Sequence, residues 1–249
     1  IGGFNAIIAA SLIVFVIALC ALFIIDDVPT VQERPPTRVA IVESGEPTVE
    51  LITRQDFAHC VQSIAELPEA PELFNREDPR LRGTVIVVMK RARRLMLMRA
   101  GQIGHDRSDA QTDCWRVALG IDRQGRSTAA SDKLVAGDHR TPEGWFRTSD
   151  KPWSQYKNAV AIHFPDERHA SRGLGGHLIT QGLYEQILSA QARAAIPPQN
   201  TKLGGEILIH GGGSNADWTW GCIALNDNDL EELRSLLPAG MRSWILILP

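Results

Sequence analysis

Apolar positions along this chain form one long unbroken run at the start and, further on, short β-branched stretches bounded by turn residues. Residues 1–25 carry no charge. From Phe4 to Ile25 the run would measure about 33 Å as a helix at about 1.5 Å per residue, enough to cross a hydrocarbon core of about 30 Å. It predicts a transmembrane helix, because a signal peptide has a shorter apolar core, a basic start and a small-residue cleavage site. Residues 28–36 hold three prolines among polar residues, which suits an extended tether. Residues 38–42 read as a short strand. Residues 53–67 read as a helix, with Thr53 and Asp56 as a capping pair and Phe57, Cys60, Val61 and Ile64 on one face. Pro68, Pro71 and Pro79 then end any helix. Residues 26–82 are accordingly read as a tether and N-terminal embellishment.

From Gly83 the pattern becomes strand-rich. Strands are expected at residues 84–89, 95–99, 114–120, 159–164, 206–210 and 244–248, and helices near residues 180–194 and 229–236. Residues 83–249 suffice for one sizeable core, so the expected class is mainly β with a few short helices. With 26 basic and 29 acidic side chains the net charge is -3, which argues against a nucleic-acid partner. Only Lys90 to Arg94 is locally basic, and it is read as a solvated hairpin tip, with weak contact to anionic headgroups or wall polymer as its functional variant.

Chemistry concentrates near the C-terminus. Cys222 lies in Thr219-Trp220-Gly221-Cys222-Ile223-Ala224-Leu225, twelve residues after His210, which ends the apolar run Ile207-Leu208-Ile209. A thiol at its free pKa of about 8.5 is mostly protonated at neutral pH, so a catalytic cysteine needs a base beside it. A strand end fixes His210, Gly211-Gly212-Gly213 lets the chain turn back, and Gly221 permits a tight turn that aims N–H groups at an oxyanion. The bland alternative is a small buried thiol and a satisfied strand-end histidine.

Several separated blocks resemble the L,D-transpeptidase catalytic domain, a family of cysteine enzymes that crosslink or trim bacterial peptidoglycan. Ile209-His210-Gly211 and Thr219 to Leu225 are similar to the family's His-Gly and Ser/Thr-x-Gly-Cys elements. Gly137-Asp138-His139-Arg140-Thr141-Pro142-Glu143-Gly144 resembles its GDxxTPxG segment, residues 115–120 the strand before it, and residues 159–165 its strand ending in Phe-Pro. The resemblance covers residues 83–249 and implies a mixed β-sandwich. It implies Cys222 as nucleophile, His210 as general base and the Gly211 carbonyl as the group orienting the imidazole. Gly221 and Cys222 N–H groups would form the oxyanion site, with Thr219 and Trp220 beside the substrate. No metal or organic cofactor is implied. The implied partners are peptidoglycan stem peptides and an amine acceptor, a second stem or a protein lysine, with the enzyme on the extracytoplasmic side of the cytoplasmic membrane. Trp220 and Ala224 depart from the histidine and the arginine or asparagine of many members, the His-to-Cys spacing is shorter, and a helical stretch at residues 177–195 is interposed.

Ser154, Tyr156 and Trp153 are candidates for the donor groove, and either Trp218 or Trp220 for the cleft wall; Asp138 and Arg140 are read mainly as structural. The close alternative to a transferase is a hydrolase or carboxypeptidase of the same fold. A metal peptidase would draw on His163, His169, His177, His210 and Asp217, and a non-catalytic wall-binding module would tolerate loss of Cys222. Of the four cysteines, Cys20 falls in the apolar run and Cys222 must stay free to act, which leaves Cys60 and Cys114 available for one disulfide.

Overall fold

Val85-Ile86-Val87-Val88-Met89 has no polar position of either parity, so a strand there is stable only if both faces are covered. The computed structural model, which describes residues 60–104 and 113–249, supplies both layers. Strand β1 (Thr84–Met89) runs antiparallel to β2 (Arg94–Arg99), with Val87 opposite Met96, and parallel to β9 (Trp244–Leu248), with Val87 opposite Leu246. Ile86, Val88, Leu95, Leu97, Ile245 and Ile247 point into the main core. Val85, Val87, Met96, Met98, Leu246 and Leu248 point the other way, against Leu67, Phe74 and Leu81. Residues 60–82 thus cover the outer face, and each fully buried apolar side chain there contributes about 1.5–3 kcal/mol.

The remaining strands are β3 (Gln102–Ile103), β4 (Cys114–Arg116), β5 (Gly144–Asp150), β6 (Val160–Ile162), β7 (Leu208–His210) and β8 (Ile223–Ala224). Among the described residues the order is β3-β2-β1-β9-β5-β6-β7-β8, with β4 beside β2. β5 turns the corner: residues 144–147 pair with β9 and residues 148–150 with β6. Ala118 and Ala224 exchange two N–H···O bonds of 2.9 Å, so the sheet's far ends meet and it curls around the main core. Helices α1 (Glu167–Gly175) and α2 (Gln181–Ala192) lie between β6 and β7, and α3 (Asp227–Leu236) follows β8. The architecture is mainly β, one curled sheet with few helices.

The strands expected at 84–89 and 244–248 have those bounds, and those at 95–99, 159–164 and 206–210 differ only at their ends. The strand expected at 114–120 stops at Arg116, because the chain leaves β2 there to bridge toward β8. β5 and α1 carry no clear apolar period; α1 buries only His169, Ala170 and Gly173. The helix expected at 53–67 is not formed in its described part. Ile64–Glu66 is a single 3-10 turn, and Gln62 and Ile64 instead hydrogen-bond Ile103 and Gly101 beside β3. Its residues 53–59, the span at 1–25, the tether and the strand at 38–42 lie outside the described residues. Among the described residues no helix is long and apolar enough to cross a membrane.

The basic cluster is not a solvated turn. Lys90 is 0% exposed, and its ammonium donates to the carbonyls of Ser131 (2.6 Å) and Thr141 (3.0 Å) and to the Glu143 carboxylate (2.8 Å). Arg94 is buried as well, and the Arg93 guanidinium grips Asp217 at 2.8 Å. Residues remote in sequence neutralise Lys90 and Arg93, which no local pattern reveals. Beneath α1, the buried His169 lies between Asp166 and Asp132, the latter at 3.1 Å. Burial opposes its charge, but the two carboxylates outweigh burial and raise its pKa.

Cys60 and Cys114 form a disulfide with Cα atoms 6.3 Å apart, tying the outer layer to β4 across 54 residues of sequence. A loop of that size corresponds to about 4 kcal/mol of stabilisation through the unfolded chain. Reduction, or the Cys60→Ser/Cys114→Ser double variant, is expected to lower the urea unfolding midpoint accordingly. A midpoint equal to that of the oxidised parent would show that the cross-link contributes nothing.

Candidate active site

β7 and β8 pair in parallel, Ile209 opposite Ile223 and His210 opposite Ala224. Side chains alternate along strands, and Ile207, Ile209 and Ile223 enter the main core. Leu208, His210 and Cys222 therefore share the outer face. Cys222 stands opposite Leu208, two residues along from His210, which puts the two Cα atoms about 8 Å apart by strand spacing and rise.

The imidazole is tightly held. His210 is 1% exposed, stacked on Tyr156 at 4.1 Å between ring centres and met edge-on by Trp218 at 5.4 Å. Its Nδ1 lies 2.6 Å from the Gly211 carbonyl. A carbonyl only accepts, so Nδ1 carries the proton and Nε2 is left as the basic nitrogen. Burial holds the His210 pKa below its ordinary value, with the Gly211 bond pulling the other way. The ring is a neutral base.

Cys222 is partly exposed and is the free cysteine among the described residues. It packs with Tyr156 and Ile196 over Ala159, Ala161 and Leu208. Sγ donates to the Glu206 carbonyl at 3.5 Å. Burial pushes the thiol pKa up, while the Leu208 N–H, Lys151 and Lys133 pull it down. Lys151, itself buried, forms an ion pair with Glu206. Sequence reasoning overlooked Lys151, Lys133 and Glu206, because only the meeting of the β5–β6 turn, the β4–β5 connection and the segment before β7 brings them near the sulfur.

The turn before the thiol is set by its neighbours. Gly221 has φ +113°, and a Cβ there would lie 2.7 Å from the Arg140 carbonyl, so a side chain is excluded twice over. Thr219 is buried, donates to the Cys222 carbonyl at 2.7 Å and accepts the Gly221 N–H at 3.3 Å, which braces the turn. Asp217 anchors its start through Arg93 and the Leu119 N–H at 2.9 Å. Trp218 faces the imidazole, whereas Trp220 is 76% exposed and stacks on His139 at 5.2 Å. Asp138 accepts N–H groups of Leu134, Val135 and Arg140 and pairs with Lys133 at 2.8 Å, a structural role. Ala224 is fully buried. A cavity of about 370 Å³ opens beyond Tyr156 and Trp218, lined also by Gly211, Gly212 and Asp227.

The residues that a metal peptidase would need are scattered among other partners. Asp217 is bound by Arg93, His169 sits between two carboxylates, and His163 bonds Ser149. Among the described residues no group of three or more His, Cys, Asp or Glu side chains could hold a metal ion.

A thiol raised by burial beside a neutral imidazole rests as S–H rather than as a thiolate–imidazolium pair. Alkylation of Cys222 by iodoacetamide is therefore expected to speed up about tenfold per pH unit between pH 6 and 8, following the thiolate fraction. A rate flat across that range would mean a pre-formed ion pair and would contradict the electrostatics described.

The family model for YkuD, the L,D-transpeptidase catalytic domain, matches residues 83–245. Among solved structures, the chain is similar to the helical cell shape determining protein Pgp2 from Campylobacter jejuni, at 20% identity over 68% of this chain and 51% of that one, with a TM-score of 0.40. It is similar to Bdellovibrio bacteriovorus Bd1075 at 20% identity over 69% and 50%, with a TM-score of 0.37. It is also similar to an L,D-transpeptidase from Mycobacterium smegmatis at 12% identity over 67% and 59%, with a TM-score of 0.32. The chain spans about half the length of the first two structures. No curated protein matches it significantly. With Cys222, His210 and the Gly137 to Gly144 segment all inside the matched residues, the chain belongs to the L,D-transpeptidase catalytic domain family.

Proposed function

We propose that this chain is a cysteine acyltransferase acting on peptidoglycan stem peptides, anchored in the cytoplasmic membrane by residues 1–25, with residues 83–249 as its catalytic domain on the extracytoplasmic side. The observation that carries the reading is a free thiol sharing one sheet face with an imidazole whose Nδ1 proton is committed to the Gly211 carbonyl, at 2.6 Å, inside a domain of this family. Such a ring can only accept a proton at Nε2.

In the first half-reaction the Cys222 proton moves to Nε2 of His210 as sulfur attacks the carbonyl joining the third and fourth stem residues. The S–C bond forms, the C–N bond breaks, and the imidazolium protonates the leaving amine. The oxyanion is met by backbone N–H groups at Gly221 and Cys222, which requires Gly221 to exchange its bond to Thr219 for one to substrate. An acceptor amine then attacks the thioester, His210 takes its proton, and the S–C bond breaks as the thiol is restored.

Hydrolysis by the same thioester is the second reading. It is favoured by Ala224, a buried apolar residue at the position where many relatives carry a polar side chain for the second substrate.

Intact-protein mass spectrometry with a tetrapeptide muropeptide is expected to show a thioester on Cys222 and a crosslinked dimer. Cys222→Ala should show neither, and His210→Gln should lower kcat/KM by about 10²–10⁴-fold. Shortened stems without dimers would select the hydrolase, and turnover surviving in Cys222→Ala would discard the mechanism.

A further inference from the structure

Along the outer sheet face the register draws one row: Leu208 opposite Ala161 and Ala161 opposite Ser149, with Cys222, one residue before the Ile223–Ile209 pair, packed beside Leu208. Three strand spacings separate its ends, about 14 Å. At the far end, beside Ser149, opens a cavity of about 750 Å³. Ile196 belongs to both places, packing with Cys222 over Leu208 and Ala161 and also lining this cavity.

The cavity is built for negative charge. Arg147, Arg193 and Arg242 line it, and among the described residues none of the three pairs with a carboxylate. Arg147 lies over the Trp244 ring at 4.2 Å, and Arg193 donates to the Ser189 hydroxyl. The one acidic lining residue, Asp150, is already paired with Arg234 at 2.9 Å. On the floor, His163 is 5% exposed; its Nε2 bonds the Ser149 hydroxyl at 2.9 Å, and its Nδ1 has no partner. The ring is neutral, its pKa lowered to about 4 by burial and by Arg147, so the charge this cavity offers comes from the three guanidinium groups. The exposed Trp153 stands at the mouth.

We propose that this cavity is a carboxylate-binding subsite, in which Arg193, Arg242 and Arg147 hold a carboxylate of the peptide substrate while its reacting carbonyl lies at Cys222. The inference rests on the acyltransferase reading and deepens it. The 14 Å runs between backbones, so a carboxylate about two residues, or about 7 Å, from the reacting carbonyl meets it with the Cys222 and arginine side chains closing the remainder. Guanidinium forks suit carboxylates because both present two parallel contacts. The carboxylate belongs either to the donor stem or to the amine-bearing acceptor.

The test uses the 249-residue chain with Cys222→Ala, titrated calorimetrically with a tetrapeptide stem carrying free carboxylates and with the same peptide amidated. The free-acid peptide should bind at least about tenfold more tightly, and Arg193→Gln/Arg242→Gln should remove that advantage while leaving the amidated peptide unchanged. With Cys222 intact, Arg193→Gln/Arg242→Gln should be alkylated by iodoacetamide at the parental rate. Weakened thioester formation in that variant assigns the carboxylate to the donor; normal thioester formation with lost dimer assigns it to the acceptor. Equal binding of both peptides, unaffected by the substitutions, overturns the subsite alone. No binding of either peptide overturns the peptidoglycan reading and the subsite with it. Displacement by inorganic phosphate but not by acetate would overturn the carboxylate assignment in favour of a phosphate-bearing ligand.

Discussion

The parallel register of β7 on β8 is the constraint on which the site depends. Ile209 opposite Ile223 sends both isoleucines into the core, and the pleat then obliges His210 and Cys222 to emerge together on the outer face. A slip of one residue would bury the thiol in the main core and leave an isoleucine beside the imidazole. The register is defended from both sides: Ala118 is bonded to Ala224 across the far edge, and Val160 and Ala161 pair with Ile209 and Leu208. Much of the remaining structure keeps the turn before Cys222 in place. Arg93 fixes Asp217, Thr219 braces the turn, and the Arg140 carbonyl lies where only a glycine fits.

The same arrangement sets the electrostatic character of the pair. Packing against Tyr156, Ile196 and Leu208 takes both groups out of water, so neither ion is favoured at rest. Lys151 and Lys133 oppose this by attracting a thiolate once it forms. Lys151 is itself engaged by Glu206, whose carbonyl takes the Sγ hydrogen bond. At rest the Sγ hydrogen is held by the Glu206 carbonyl, and burial disfavours charge on both the thiol and the imidazole.

The buried charges away from the thiol serve the scaffold. Lys90 joins β1 to the Ser131, Thr141 and Glu143 region, which supports the Arg140 carbonyl beneath Gly221. Removing one member of such a cluster would strand the rest in low dielectric. The second apolar layer has a similar logic: β1 is apolar on both faces, so residues 60–82 are part of the folded unit, held by Leu67, Phe74, Leu81 and the Cys60–Cys114 bond.

Local apolar pattern was enough to define the strands where it is unambiguous, β1, β9 and most of β7. The sequence also located α2 and α3 to within two residues at each end, and the histidine-glycine and glycine-cysteine blocks that mark the family. These are local signals, carried by neighbouring residues and by residue types with narrow conformational or chemical range. β5, α1 and the single turn at Ile64–Glu66 were not legible, because tertiary contacts rather than an apolar period specify them. That Lys90 and Arg94 are buried, that Tyr156 and Trp218 hold the imidazole while Trp220 turns to His139, and that Lys151 and Glu206 meet beside the sulfur emerges only once the chain has folded. Each of these joins residues far apart in the chain, and their energy comes from desolvation and contact geometry, which exist only once the sheet has curled.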